Sequence, residues 1–202
     1  MELELPLRVT TPASWTHLAL AEPLNLLNDH AYLEKKAASN AMELLNRWPA
    51  PRQPKRWVSI LAGISRDETA HLAQVVRLLG RKGGELSRTH SNPYATALHK
   101  HIRKGLGTGE LLDRLLISAL IEARSCERFS LLEENTDDLD LRRLYRGLGQ
   151  SELGHFKVFL ILGNEVMPEK EVNLRWNEWL EIEKEIIQAQ APGPRMHSGW
   201  IV

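Results

Sequence analysis

Apolar residues recur every three or four positions through four long stretches of this chain. In the first, Leu24, Leu27, Ala31, Glu34, Ala38, Ala41 and Leu45 advance in steps of 3 and 4. In the second, Trp57, Ile60, Leu61, Ile64, Glu68, His71, Leu72, Val75 and Leu79 share one face. The third seam is Leu112, Leu115, Ala119, Glu122, Cys126 and Phe129; the fourth is Leu141, Leu144, Leu148, Glu152, His155 and Phe159. A period near 3.6 marks the buried face of an amphipathic helix. Proline and glycine bound the stretches and predict core helices at about 23–48, 54–82, 109–135 and 139–163. Pro23 and Pro54 suit first helical positions, Thr108 and Asp138 suit N-caps, and Gly163 suits the residue just past a helix end. A fifth stretch, with Val172, Trp176, Trp179, Ile182 and Ile186, predicts an outer helix over about 169–191, its tryptophans serving as packing anchors. The tail, 192–202, is too rich in glycine and proline for a helix; it either folds over the site or hangs free. No alternating strand pattern or fixed-period repeat occurs, so the fold class is all-α.

Each core seam is interrupted near its middle by a carboxylate: Glu34, Glu68, Glu122 and Glu152. Two of the seams carry a histidine three residues later, His71 and His155, on the same helix face. Burying an ionised carboxylate alone costs several kcal/mol, and four in one core would repel one another. Two divalent cations remove the difficulty, supplying about +4 of charge and coordination sites for six side chains. The spacing predicts one shared layer. Glu34 and Glu68 lie 17 residues either side of Pro51, and Glu122 and Glu152 lie 15 residues either side of Asp137. At about 1.5 Å of rise per residue, each helix pair brings its carboxylates to one height. The connection from Gly83 to Gly107 is long enough to run back along the bundle. The whole chain, 1–202, therefore reads as one domain, a ferritin-like four-helix bundle joined up-down-down-up.

Four carboxylates and two imidazoles without a thiolate suit iron or manganese, whereas structural zinc favours cysteine-rich tetrahedral sets. Asp67 is placed to orient a ligand histidine from a neighbouring helix. His30, one turn before Glu34, reads as a supporting or solvent-facing residue, and Glu127 as a salt-bridge partner rather than a ligand. Cys126 and Ala119 flank Glu122 on its seam and either pack or leave room for a small substrate.

The 202 residues are 43% apolar and 26% charged, as in soluble globular proteins, with 26 basic and 26 acidic residues. Bulk charge therefore gives no drive toward a polyanion. The single cysteine excludes an internal disulfide, and the opening Met1–Pro6 lacks the basic and apolar regions of a signal peptide. No apolar run approaches the roughly 20 residues a bilayer span needs, so no membrane and a cytoplasmic location are expected.

The run Asn28 to Ser39 resembles the first ligand helix of the tRNA 2-methylthio-N6-isopentenyladenosine hydroxylases, the MiaE type. So do Asp67-Glu68-Thr69-Ala70-His71, the run Glu122 to Phe129, Ser151-Glu152-Leu153-Gly154-His155 and the tail Pro194 to Gly199. The ligand pattern is common to di-iron bundles; the Glu122–Arg128 run and the tail point to this family. The resemblance implies an O2-dependent monooxygenase with two non-haem irons, held and used by Glu34, Glu68, His71, Glu122, Glu152 and His155. It further implies a tRNA substrate, hydroxylated on an isopentenyl side chain beside the anticodon. No flavin or dinucleotide fingerprint is present, so electrons are expected from an external ferredoxin or reductase.

Arg81, Lys82, Arg88, Lys100, Arg103 and Lys104 stand against Glu85 alone between 81 and 104, and suggest an RNA-facing surface, or simply a solvated basic loop. A ferritin-like iron-oxidising or storage protein would use the same ligand set. It would need a cage-forming oligomer, whereas a monomer is favoured here. A radical or manganese redox bundle would want a tyrosine near the metals, and Tyr32 and Tyr145 fall off the ligand positions.

Overall fold

A computed structural model describes residues 5–49 and 51–201. The opening tetrapeptide, on which the signal-peptide expectation partly rests, lies outside the described residues, as does the last residue of the tail. The described chain is helical, with no strand beyond one isolated bridge in the tail. Seven helices follow in order: α1 (Ala13–Ala21), α2 (Pro23–Leu44), α3 (Trp57–Arg81), α4 (Pro93–His99), α5 (Thr108–Asn135), α6 (Leu139–Val166) and α7 (Glu169–Gln188).

Helices α2 and α3 form one antiparallel hairpin, and α5 and α6 form another. The end of α3 meets the start of α6, where Lys82 pairs with Asp138 and Arg81 with Asp140. The end of α2 meets the start of α5, where Arg114 of α5 reaches Glu43. Helices α3 and α5 therefore run parallel, in the up-down-down-up order of a ferritin-like bundle. Helix α7 lies outside, on α5, and runs in the same direction: Arg175 meets Asp113 and Glu183 meets Arg124.

The apolar seams bury as the periodicity requires except at the start of the first, where Leu24 is exposed (39%) and Leu26 is buried instead. One cluster, with Leu44, Trp57, Leu61, Leu115 and Leu162, fills one end of the bundle. A second, with Leu27, Ala31, Val75, Phe129 and Leu148, fills the other. Each fully buried leucine contributes about 1.5–3 kcal/mol of transfer free energy. A polar layer separates the two clusters.

Helix ends depart from expectation where local geometry intervenes. Pro23 opens α2 as expected, but α2 stops at Leu44 rather than near 48. Pro54 lies before α3, not within it: Arg56 takes a left-handed conformation (φ 69°), and the helix begins at Trp57. Gly107, not Thr108, is the N-cap of α5, whereas Asp138 caps α6 by accepting from the Asp140 and Leu141 amides. Gly163 does not end α6, which runs on to Val166. A Cβ there would sit 3.4 Å from Leu112 and 3.5 Å from Val172, so the bare backbone serves close packing. Pro168 ends the helix instead, because the residue before a proline is forced into extended backbone, as Met167 is (φ −142°, ψ 159°).

Helices α1 and α4 lie in stretches where the pattern predicted no helix. Helix α4 carries a readable signal: Asn92 accepts from the Ala95 amide and Pro93 takes the first turn. Helix α1 buries only Trp15, Thr16 and Ala19, too few positions to show a period. The tail folds back onto the bundle. The Asp29 carboxylate accepts from the Met196 amide (2.8 Å), Arg128 donates to the Met196 carbonyl (2.5 Å), and Met196, His197 and Ser198 are buried. Gly199 permits the fold, since a Cβ there would lie 1.9 Å from the Gln190 carbonyl oxygen.

Candidate metal centre

The polar layer holds all six side chains that interrupt the seams. Glu34 comes from α2, Glu68 and His71 from α3, Glu122 from α5, and Glu152 and His155 from α6. None is more than 6% exposed. They fall into two overlapping groups of four: Glu34, Glu68, His71 and Glu152; and Glu68, Glu122, Glu152 and His155. Within each group, one ligand atom per residue lies within 4.8 Å of every other. Glu68 and Glu152 belong to both groups, so the arrangement is two four-donor sets sharing two carboxylates.

Both histidines turn Nδ1 toward the carboxylates. His71 Nδ1 lies 3.0 Å from Glu152, 3.4 Å from Glu68 and 3.5 Å from Glu34. His155 Nδ1 lies 2.6 Å from Glu68 and 3.2 Å from Glu152. Yet Glu68 Oε1, His71 Nδ1 and Glu152 Oε1 are buried without a well-aligned hydrogen bond. Close approach without alignment is what donor atoms gathered round a common point show, and an orphaned buried polar atom costs about 1–3 kcal/mol. Cations between the groups would satisfy all three, and the set of oxygen and imidazole donors fits iron or manganese.

Protonation tells the same story. Burial pushes Glu34 up to about 7, against the pull of its bond from His30. Burial, then repulsion from Glu152 and Glu68, holds Glu122 well above the carboxylate range. For Glu68 and Glu152, burial is outweighed by the two imidazoles, and both are held below that range. Burial likewise opposes the imidazolium charges, but the carboxylates raise His71 to about 12 and His155 to about 10. Without metal, then, two imidazoliums balance two carboxylates while the other two carboxyls tend to stay neutral.

Surrounding residues hold these groups. His30 is buried, and its Nε2 lies 2.5 Å from Glu34 Oε1. It is a supporting residue and not solvent-facing. Asp67 faces Nε2 of His155 at 3.7 Å, across the two hairpins. Tyr145, set aside by its seam position, packs on the His30 ring (centroids 5.7 Å apart), with its hydroxyl buried and unpartnered. Its approach is set by helix packing and leaves no trace in the spacing. Glu127 pairs with Arg124 and accepts from Thr11. Cys126 is buried, with Sγ 3.7 Å from the Gly149 carbonyl, and packs rather than opening space.

The six basic residues do not share one face. Arg81 and Lys82 close α3 at one end of the bundle, tied to Asp140 and Asp138. Lys100, Arg103 and Lys104 follow α4 at the other end, beside the start of α5, whose 28 residues span about 40 Å. Arg103 is committed to the fold: Nε and Nη2 fork onto buried Asp113 at 3.0 and 2.9 Å. Arg88 is exposed on the segment between these ends. Among the described residues, no helix is long and apolar enough to cross a membrane.

The family described as tRNA-(MS[2]IO[6]A)-hydroxylase (MiaE) matches residues 2–198. A Pseudomonas putida (strain KT2440) protein called tRNA 2-(methylsulfanyl)-N(6)-isopentenyladenosine(37) hydroxylase is 34% identical, over 98% of this chain and 94% of its own. A Salmonella typhimurium (strain LT2) protein of the same name is 26% identical, over 96% of this chain and 87% of its own. The solved structure of a Synechococcus protein with aldehyde deformylating oxygenase activity superposes with a TM-score of 0.88, at 34% identity, over 97% of both chains. With a match that runs almost from end to end, and two buried donor sets at the centre of a ferritin-like bundle, this chain belongs to the MiaE family of tRNA hydroxylases.

Proposed function

We propose that this chain is one di-iron domain that hydroxylates the isopentenyl side chain of 2-methylthio-N6-isopentenyladenosine in tRNA, using O2. The observation that carries the reading is the pair of four-donor sets sharing Glu68 and Glu152, in a chain of this family. Glu34 and His71 would hold one iron, Glu122 and His155 the other, with Glu68 and Glu152 between them. Bound there, the two irons supply O2 reduction and the oxidant for a C–H bond. The balance is one oxygen atom into the C–H bond and one into water, with two protons and two electrons from an external ferredoxin or reductase.

The protein's own part is positional. His30 fixes the direction of Glu34 through its 2.5 Å contact, and Asp67 faces the outer nitrogen of His155. The apolar clusters on either side keep bulk water from the layer.

Mass spectrometry of nucleosides from tRNA of cells lacking this protein tests the reading. The expected result is loss of the hydroxylated nucleoside and accumulation of its prenylated precursor; undiminished hydroxylated nucleoside refutes it. The likeness to a protein with aldehyde deformylating oxygenase activity favours one second reading, an oxygenase acting on an aldehyde. Purified iron-loaded protein offered both substrates separates the two.

A further inference from the structure

A hollow of about 130 Å³ opens between α2, α4 and α5, and Glu122 is among the residues that line it. Most of its exposed wall is apolar, from Leu33 and Ala37 of α2, Ala95 of α4, and Ile117 and Ile121 of α5, interrupted by Asn40, Arg114 and Ser118. This volume is well below the roughly 300–1,000 Å³ of sites that enclose a whole drug-sized ligand. It admits a short branched hydrocarbon arm, and leaves the base and ribose that carry the arm outside.

The mouth has a different chemistry. A second, shallower hollow adjoins the first, shares Lys36, Ala95 and His99 with it, and adds Lys100 and Lys104. No carboxylate lines this outer part. Lys36 donates to His90 (2.9 Å), whereas Lys100 and Lys104 are exposed and make no ion pair among the described residues. Ala95 and His99 of α4 and its N-cap Asn92, spaced 3 and 4, all line the inner hollow, so this short helix and its cap form one wall of both the slot and its mouth. The larger hollows beside Asp29 and Arg195 are lined by none of the six buried donors.

We infer that the slot between α2, α4 and α5 seats the isopentenyl arm, and that Lys36, Lys100 and Lys104 hold backbone phosphates of the tRNA at its mouth. This rests on the hydroxylase reading and assigns that reading its substrate subsite. A mainly apolar hollow that reaches a carboxylate of the centre and adjoins a cationic rim free of carboxylates matches an apolar arm carried by a polyanion. The RNA face is thereby placed at one end of the basic stretch, without Arg81, Lys82 or the fold-bound Arg103.

Binding by metal-free protein tests this without turnover. Wild type is expected to bind prenylated tRNA roughly tenfold or more tighter than the same tRNA with unmodified adenosine, since burying a five-carbon arm removes substantial apolar surface from water. Ala95→Leu and Ala37→Leu, made separately so that one misfolded variant does not decide the matter, should each abolish that preference and leave binding of unmodified tRNA unchanged. The double variant Lys100→Ala/Lys104→Ala should weaken both tRNAs alike and flatten the salt dependence by about 1.5 in log–log slope. A wild type without preference, or folded slot variants that keep it, overturns the slot. Unchanged affinity and salt slope in the lysine variant overturn the rim. Failure of iron-loaded wild type to hydroxylate prenylated tRNA would instead sink the function itself; full activity in both slot variants would sink only this assignment.

Discussion

Loading the centre with metal should expel protons, and their number follows from how burial and charge shift the six buried groups. At pH 7 without metal, His71 and His155 each carry a proton, since the carboxylates hold them at about 12 and 10. Buried Glu122 keeps its own proton, and Glu34, at about 7, is half protonated. Metal ligation requires neutral imidazoles and ionised carboxylates, so filling both sets releases about three to four protons per chain. The sign follows: apparent affinity rises with pH, and the product of the two binding constants should climb by about three to four powers of ten per unit near neutrality. Anaerobic calorimetric titration with Fe(II) or Mn(II), in buffers of different ionisation enthalpy at one pH, reads the proton number as a slope. A slope near zero or one would mean that the cluster does not hold these protons, or that the metal binds elsewhere, and would refute the reasoning.

Three other outcomes are expected. Glu68→Ala removes a donor from both sets, whereas His155→Ala touches one; metal analysis after anaerobic reconstitution should find both sites impaired in the first and one metal retained in the second. Glu183→Ala removes the forked partner of buried Arg124 at 2.8 and 2.9 Å and leaves it Glu127 alone, so it should cost about 1–3 kcal/mol in chemical denaturation; a loss below about 0.5 kcal/mol would contradict this. Cys126, its thiol pushed up to about 12 chiefly by burial, should resist a thiol reagent at pH 8 until the protein is unfolded; prompt labelling of folded protein would show the site to be open.

Much of the centre is legible in the sequence because burial is costly for carboxylates. A glutamate on an apolar seam is an anomaly that demands a partner, and four such anomalies at matching distances from two turns point to one layer. The supporting shell is less legible. His30 can be picked out one turn from Glu34, but nothing in the spacing shows that Tyr145 of α6 packs on its ring, or that Asp67 faces a histidine of the other hairpin. The basic stretch is hard to read for a related reason. Residues of one basic stretch end up at opposite ends of the bundle when the connection runs its length, and an arginine in a charge count can be bound to a buried aspartate, as Arg103 is.

The sequence by itself determined the four long helices, the face each one buries, and the six side chains that meet between them, because helical period and the cost of burial act within a single element. Tertiary structure decided which two glutamates are shared, where several helices end, how the tail lies across Asp29 and Arg128, and that α4 and Glu122 line one hollow. Those outcomes depend on distances between elements remote in the chain, which arise only once the helices have packed.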